Sequence, residues 1–316
     1  MQWPAFLALS FVALMAATAL ADGDDAESAP LLAVAANRFG STFELITIDV
    51  QGKNAKLSLP FRAPASNPCW SADCRKLAYR SNRSGRHQLY AYDFDRGEEI
   101  RLTNTTAEEH EPTWSPDGKK LISTSLRTGD HEIFIMNADG SNPLNLTNHP
   151  GFDSDPAWSP DGRKIAFGAF RNEGWRLYVM DADGSHVREV LGHNLDGWTG
   201  PSWSPDGTQI VYVGPNKGSL QIFVVSADGT GAEPITESAG GNAWPAFSPD
   251  GRYIAYLHYD ARPENSGEQG TLMVYDVETL AHTPVAPAGM RCLSRISWKQ
   301  PAGELETRGT SGRAEE

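Results

Sequence analysis

The chain is poor in cysteine, short of basic residues and, past its first 21 residues, free of long apolar runs. Each shortage closes off a class of protein. Three cysteines in 316 residues, Cys69, Cys74 and Cys292, cannot staple a disulfide-dense scaffold. They also fit no zinc motif, because Cys69 and Cys74 stand five apart with no histidine pair nearby. Lys and Arg number 27 against 40 Asp and Glu, a formal net charge of −13. Binding to nucleic acid needs a basic footprint, so no nucleic-acid partner is expected. Acidity by itself names no partner, since it also serves solubility. No G-x-S-x-G elbow, H-E-x-x-H pair or Walker A loop is present. The expectation is therefore no catalytic set, no metal and no cofactor. Nor does any segment show a helical period, which leaves an all-β chain. At 40% hydrophobic and 21% charged, the chain can still bury a core.

The N-terminus is the exception to the lack of apolar runs. Trp3 to Ala21 is apolar and ends in Ala19-Leu20-Ala21, just before Asp22-Gly23-Asp24-Asp25. A hydrophobic stretch closed by A-x-A marks a cleaved secretory signal. Met1-Gln2 carries no Lys or Arg, so an uncleaved membrane anchor is the rival reading. Cleavage after Ala21 is adopted, with residues 22–30 as an acidic linker and a periplasmic location with no membrane insertion. From Gly303 onward the residues are small and charged, as in a disordered tail over 301–316.

Internal repetition dominates what is there. PCWSADCRKLAY, PTWSPDGKKLIS, PAWSPDGRKIAF, PSWSPDGTQIVY and PAFSPDGRYIAY are copies of one segment. Their aromatic anchors, Trp70, Trp114, Trp158, Trp203 and Phe247, recur every 44 or 45 residues. That period is one four-stranded propeller blade. In each copy a short strand carries the anchor, and S-P-D-G then turns the chain, Pro fixing φ and Gly taking the left-handed position. A second strand follows, then a polar loop and a third strand (EIFIMN, RLYVMD, QIFVVS). The A-D-G turns at Asp139-Gly140, Asp183-Gly184 and Asp228-Gly229 reverse it into a fourth.

The ends give the blade count. Residues 31–60 supply only three strands, and Trp298 is a sixth anchor with just 18 residues after it. The C-terminal strand should therefore complete the N-terminal blade, closing a six-bladed β-propeller over 31–300 with no open sheet edge. One pair of the three cysteines could form a disulfide, and the sequence does not select which. Cys292 precedes the closing strand and Cys69 lies in the next blade, so a bond between them would reinforce the seam.

The W-S-P-D-G core, a downstream S-x-R-x-G (Ser81 to Gly85, Ser125 to Gly129) and the A-D-G turn resemble the TolB propeller repeat. The resemblance spans roughly residues 31–300. It implies a periplasmic protein that binds the peptidoglycan-associated lipoprotein. The α/β domain that precedes the propeller in that family has no counterpart in the residues between Ala21 and the first strand. Related repeats occur in propeller domains of prolyl-oligopeptidase-type enzymes, and a propeller fold alone does not assign function.

The repeat aromatics read as packing between blades. The turn carboxylates resemble calcium ligands, yet each turn supplies too few oxygens and reads as a turn. Candidate site residues lie where loops entering the inner strand meet those joining the second and third strands, at one mouth of the channel. The first set holds Glu109, His110, Glu111, Asp153, Asp155, Asp196, Trp198, Trp244 and Arg291. The second is Arg38, Arg83, Arg127 and Arg171, at matching positions in four blades, replaced by Asn216 and Asp260 in the others. Four guanidiniums on one side can grip carboxylates or phosphates. Alternatively, each fastens the ring by pairing with a neighbouring blade's acid, such as Glu111 or Asp155. Trp175, Trp198 and Trp244 fall outside the anchor position and suit either recognition or plugging of the mouth. The run Glu108-Glu109-His110-Glu111 reads as a solvated loop, since adjacent strand residues cannot all converge. The leading functional expectation is a protein- or peptide-binding module of the cell envelope. The alternative is a hydrolase or lyase acting on a small anionic or sugar-like substrate in the mouth.

Overall fold

The computed structural model describes residues 31–37, 43–53, 55–59, 64–195, 197, 199–260, 270–285 and 290–299. The expected signal segment, acidic linker and C-terminal tail lie outside them. Strands β1 to β24 form six four-stranded antiparallel sheets, and no helix occurs among the described residues. Each sheet is one blade. The third is typical: β8 (Glu109–Trp114), β9 (Lys120–Ser125), β10 (Glu132–Asn137) and β11 (Leu144–Asn145) follow one another outward. The innermost strands β4 (Ser66–Trp70), β8, β12 (Phe152–Trp158), β16 (Ser202–Trp203), β20 (Gly241–Phe247) and β24 (Arg291–Lys299) touch in succession around a closed ring.

Closure happens as the repeat arithmetic requires. β24 pairs antiparallel with β1 (Leu31–Asn37), setting Trp298 opposite Leu32 and Cys292 opposite Ala36. Hydrophobic burial supplies the driving force at every blade interface, and two of the six aromatic anchors add directed bonds. The Trp203 indole donates to Ala157 O at 3.2 Å and that of Trp298 to Ala246 O at 2.9 Å, each acceptor lying in the preceding blade. Hydroxyls one residue before the anchor work in the same way. Thr113 donates to Pro156 O (3.2 Å), and Ser202 accepts from Phe247 N (3.2 Å). Across the seam, Ser297 accepts from Trp70 N at 2.9 Å.

The S-P-D-G turns are held by their own side chains. Ser115 donates to Asp117 at 2.6 Å, and Asp117 accepts from Lys119 N at 3.1 Å. Those bonds hold the Asp117 carboxyl below its usual range. They occupy the carboxylate in the turn itself. At the A-D-G turn, Gly140 has φ +85, and an added Cβ would lie 2.0 Å from Leu102 O of the preceding blade. Glycine there is demanded twice, by backbone angle and by blade spacing.

No disulfide reinforces the seam: Cys69, Cys74 and Cys292 are all free thiols. Cys69 faces Ser297 of the closing strand. Cys292 lies five residues earlier on that strand, about 16 Å away in extended chain, beyond disulfide reach.

Candidate binding site at the channel mouth

The channel wall is built from a feature repeated once per blade. Three residues before each aromatic anchor stand Asn67, Glu111, Asp155, Gly200 and Trp244, all with φ between +46 and +57. Four of these five inner strands shift register there, as at His110/Thr113 and Ser154/Ala157. The bulge leaves extra residues without a ladder partner. The residue after each is a proline (Pro68, Pro112, Pro156, Pro201, Pro245), which has no N–H to leave unsatisfied. The channel wall is consequently rich in carbonyl acceptors and poor in donors. In the closing strand the matching position is Arg295.

Arg295 reaches across the channel to the opposite wall. Its guanidinium donates to Pro156 O at 3.2 Å, and to Thr113 Oγ1 and Asp155 O at 3.4 Å. Its charge faces two buried carboxyl groups. Glu111 accepts from Thr124 Oγ1 at 2.7 Å and from Asp155 N at 3.0 Å. Burial pushes Glu111 upward, but Arg295 and these donors hold it below the usual carboxylate range. Asp155 goes the other way, pushed up to about 8 by burial and by the Glu111 charge. The pair thus keeps one proton, on Asp155. Both Asp155 carboxyl oxygens are buried and make no hydrogen bond of good geometry. Ser154 and the Gly200 N–H stand near enough to favour its charged form, too weakly to offset burial. Below Arg295 is a cavity of about 170 Å³, walled by Pro68, Pro112, Pro201 and Pro245, with Trp244 among its lining residues.

Around the rim runs a row of rings. His87, His110, His131 and Phe152 follow at centroid distances of 5.5, 6.0 and 4.9 Å. Phe152 pairs across the sheet with Phe170, whose ring lies 5.8 Å from Trp175. Phe152 and Phe170 are 49% and 40% exposed. Arg80 is bonded to His110 Nδ1 at 2.7 Å and donates to Ser66 Oγ at 3.1 Å. Burial, reinforced by the Arg80, His87 and His131 charges and opposed by Glu111, pushes His110 down to about 4. His110 is therefore neutral at pH 7. With Nδ1 accepting from the always-charged Arg80, its proton sits on Nε2.

The structure brings His110, Glu111, Asp155 and Trp244 together at the mouth, whereas the described arginines are engaged within their own blades. Arg83 pairs with Glu99 (2.6 Å) and lies 4.5 Å over the Tyr90 ring. Arg127 pairs with Glu109 (2.7 Å), and Arg171 takes Asp153 in a fork with bonds of 2.8 and 2.9 Å. These partners differ from the neighbouring-blade acids offered as the alternative from sequence. For Arg127 and Arg171 the acid on the inner strand and the arginine after the second strand face each other within one hairpin. Glu99 reaches Arg83 from the outermost strand of the same blade. The run expected to be a solvated loop is corrected too: Glu109–Trp114 is strand β8, and Glu109 and Glu111 are buried. Glu109 turns to Arg127 of its own hairpin, and Glu111, at the bulge, faces Arg295 in the channel. Arg38, Asp196 and Trp198 lie outside the described residues, as does the Arg291 side chain.

Sequence reasoning passed over Arg295, Arg80 and the rim rings Phe152 and Phe170. Arg295 had a usable signal, its place three residues before the sixth anchor. The rim rings had none, since a Phe at a strand end reads as core.

Comparisons with known proteins agree with this architecture. The model of the TolB β-propeller domain matches residues 31–197 and 169–286. The Tol-Pal system protein TolB of Bordetella pertussis is 37% identical over 65 residues, 21% of this chain and 15% of that protein. The chain therefore matches well under two thirds of this relative's length. Among solved structures, TolB from Acinetobacter baumannii superposes with a TM-score of 0.69 at 22% identity, over 86% of this chain and 67% of that one. A TolB-like structure from Agrobacterium tumefaciens gives 0.64 at 20% identity, over 86% and 98%. These two show the shared fold. With a family model covering most of its length and six closed blades of that repeat, the chain belongs to the TolB β-propeller domain family.

Proposed function

We propose that this chain is a periplasmic TolB-like propeller that binds an envelope protein or peptide at the channel mouth. The observation that carries this is the exposed aromatic strip of Phe152 and Phe170, continued by His131 and Trp175. Large rings left in water at a rim are characteristic anchors of protein recognition. The rigid ring presents them without a folding step on binding, which keeps the entropy loss small. Secretion through residues 1–21 would place the protein in the envelope. The Tol-Pal naming of its relatives makes a peptidoglycan-associated lipoprotein the first partner to test.

The test is affinity capture from an envelope extract. Wild type is compared with a Phe152→Ser/Phe170→Ser variant and with Phe94→Ser, which alters an exposed ring at the opposite end of the propeller. A partner kept by wild type and Phe94→Ser but lost by the double variant supports the reading. Equal capture by all three, or capture by none, refutes it. The arginines are unsuitable positions for this test, because changing them breaks ion pairs inside the blades.

A further inference from the structure

We infer that the mouth recognises a basic side chain of its partner, taken at the Asp155 carboxyl while Phe152 and Phe170 hold the adjacent apolar residue. This rests on the reading of the mouth as a protein- or peptide-binding surface, and it adds the chemistry of what enters.

Three features point to a cation. Asp155 is fully buried, yet neither carboxyl oxygen makes a hydrogen bond of good geometry, which is rare for a native side chain and leaves acceptor capacity for an incoming donor. Next, the wall has few donors to compete, because a proline follows each bulge residue. A guanidinium has already found this wall: Arg295 occupies it using two backbone carbonyls and a hydroxyl, at 3.2 to 3.4 Å. Arg295 thus shows what the wall accepts. It does so through uncharged acceptors, leaving the Asp155 carboxyl itself unbonded. Arg295 balances Glu111, and a second cation entering beside Asp155 is balanced by release of the proton that Asp155 holds.

The position of Asp155 relative to the rim supplies the geometry. Phe152 opens strand β12 at the rim, and Asp155 lies three residues further along the same strand, roughly 10 Å deeper. A segment whose apolar residue rests on Phe152 and Phe170 can send the neighbouring Lys or Arg side chain down that strand. The surroundings agree in sign. Asp130 and Glu173 flank the strip as exposed acids, and the whole chain carries −13, which would steer a basic segment toward it.

The experiment is calorimetric titration at low ionic strength with acetyl-Phe-Arg-amide, acetyl-Phe-Gln-amide and acetyl-Phe-Glu-amide. Wild type is expected to bind the arginine peptide at least ten-fold more tightly than the glutamine peptide. Asp155→Asn, which keeps the shape of the neutral acid, should erase that preference. Arg295→Met clears the resident guanidinium and should tighten the arginine peptide alone. Phe152→Ser should weaken both the arginine and glutamine peptides. Equal binding of those two, binding of none, a preference that survives Asp155→Asn, or a preference for the glutamate peptide would each overturn the inference. The last outcome would move recognition to Arg80. If an envelope partner is lost in Phe152→Ser/Phe170→Ser but kept in Asp155→Asn, only the cation inference fails and the binding surface stands.

Discussion

Replacing Arg295 with methionine tests whether a single side chain braces the ring from inside. The side chain crosses from the closing blade to the opposite wall, donating to Thr113, Pro156 and Asp155. It is also the cation that keeps buried Glu111 ionised. Methionine fills similar volume, so the loss is electrostatic rather than a cavity. Removing one partner of a buried charge arrangement leaves the other uncompensated and costs about 3–5 kcal/mol. For a domain of this size, that corresponds to a melting temperature lower by roughly 6–20 °C. Equilibrium urea unfolding, followed by tryptophan fluorescence, measures it directly. The decisive comparison is Glu111→Gln/Arg295→Met. Glutamine keeps an acceptor for Thr124 and Asp155 N but carries no charge, so the double variant should recover at least about 2 kcal/mol of the single-variant loss. A loss below about 1 kcal/mol in the single variant, or a double loss equal to the sum of the singles, would refute the brace.

Other expectations follow from the same geometry. Asp155 holds in the folded state a proton that the unfolded chain releases above its ordinary value. Its contribution is therefore complete at low pH and is lost as pH rises toward about 8. Melting curves at pH 5 and pH 8 should show a smaller fall for Asp155→Asn than for wild type; identical falls would place the raised group elsewhere. Gly140→Ala forces a Cβ to 2.0 Å from Leu102 O at φ +85, so unfolding should show a loss of about 2 kcal/mol or more. Trp203→Phe removes an interblade hydrogen bond, whereas Trp114→Phe removes a buried indole N–H that has no partner. The first should cost about 1 kcal/mol more than the second in urea unfolding. Alkylation under denaturing, non-reducing conditions should modify three cysteines by intact mass, and modification of only one would restore a disulfide.

Much of the fold was legible because its determinants are local and repeated. An anchor every 44 or 45 residues, with turn chemistry attached, states a blade length. The shortage of strands at one end and the surplus anchor Trp298 at the other state a closed ring. Side-chain roles were less legible. Arg127 and Arg171 advertise themselves by repetition, yet their guanidiniums are consumed by Glu109 and Asp153 of their own hairpins. Repetition marks what every blade needs for its own stability, which is different from what one mouth needs for recognition.

What the sequence by itself determined was the blade, the number of blades, the closing strand and the end of the ring at which the loops gather. Periodicity and turn residues act within a few positions of the chain, so they can be read without coordinates. Only the tertiary structure decided which groups meet across the channel. Arg295 and Asp155 are 140 positions apart and come into contact because ring closure sets blade one against blades three and four. The left-handed bulge that turns Glu111 and Asp155 inward is likewise a product of packing six inner strands around one axis. Burial then divides two similar carboxyl groups, leaving Glu111 charged against Arg295 and Asp155 protonated without a hydrogen bond of good geometry. Charge state depends on desolvation and on neighbours from distant parts of the chain, and neither exists until the ring is closed.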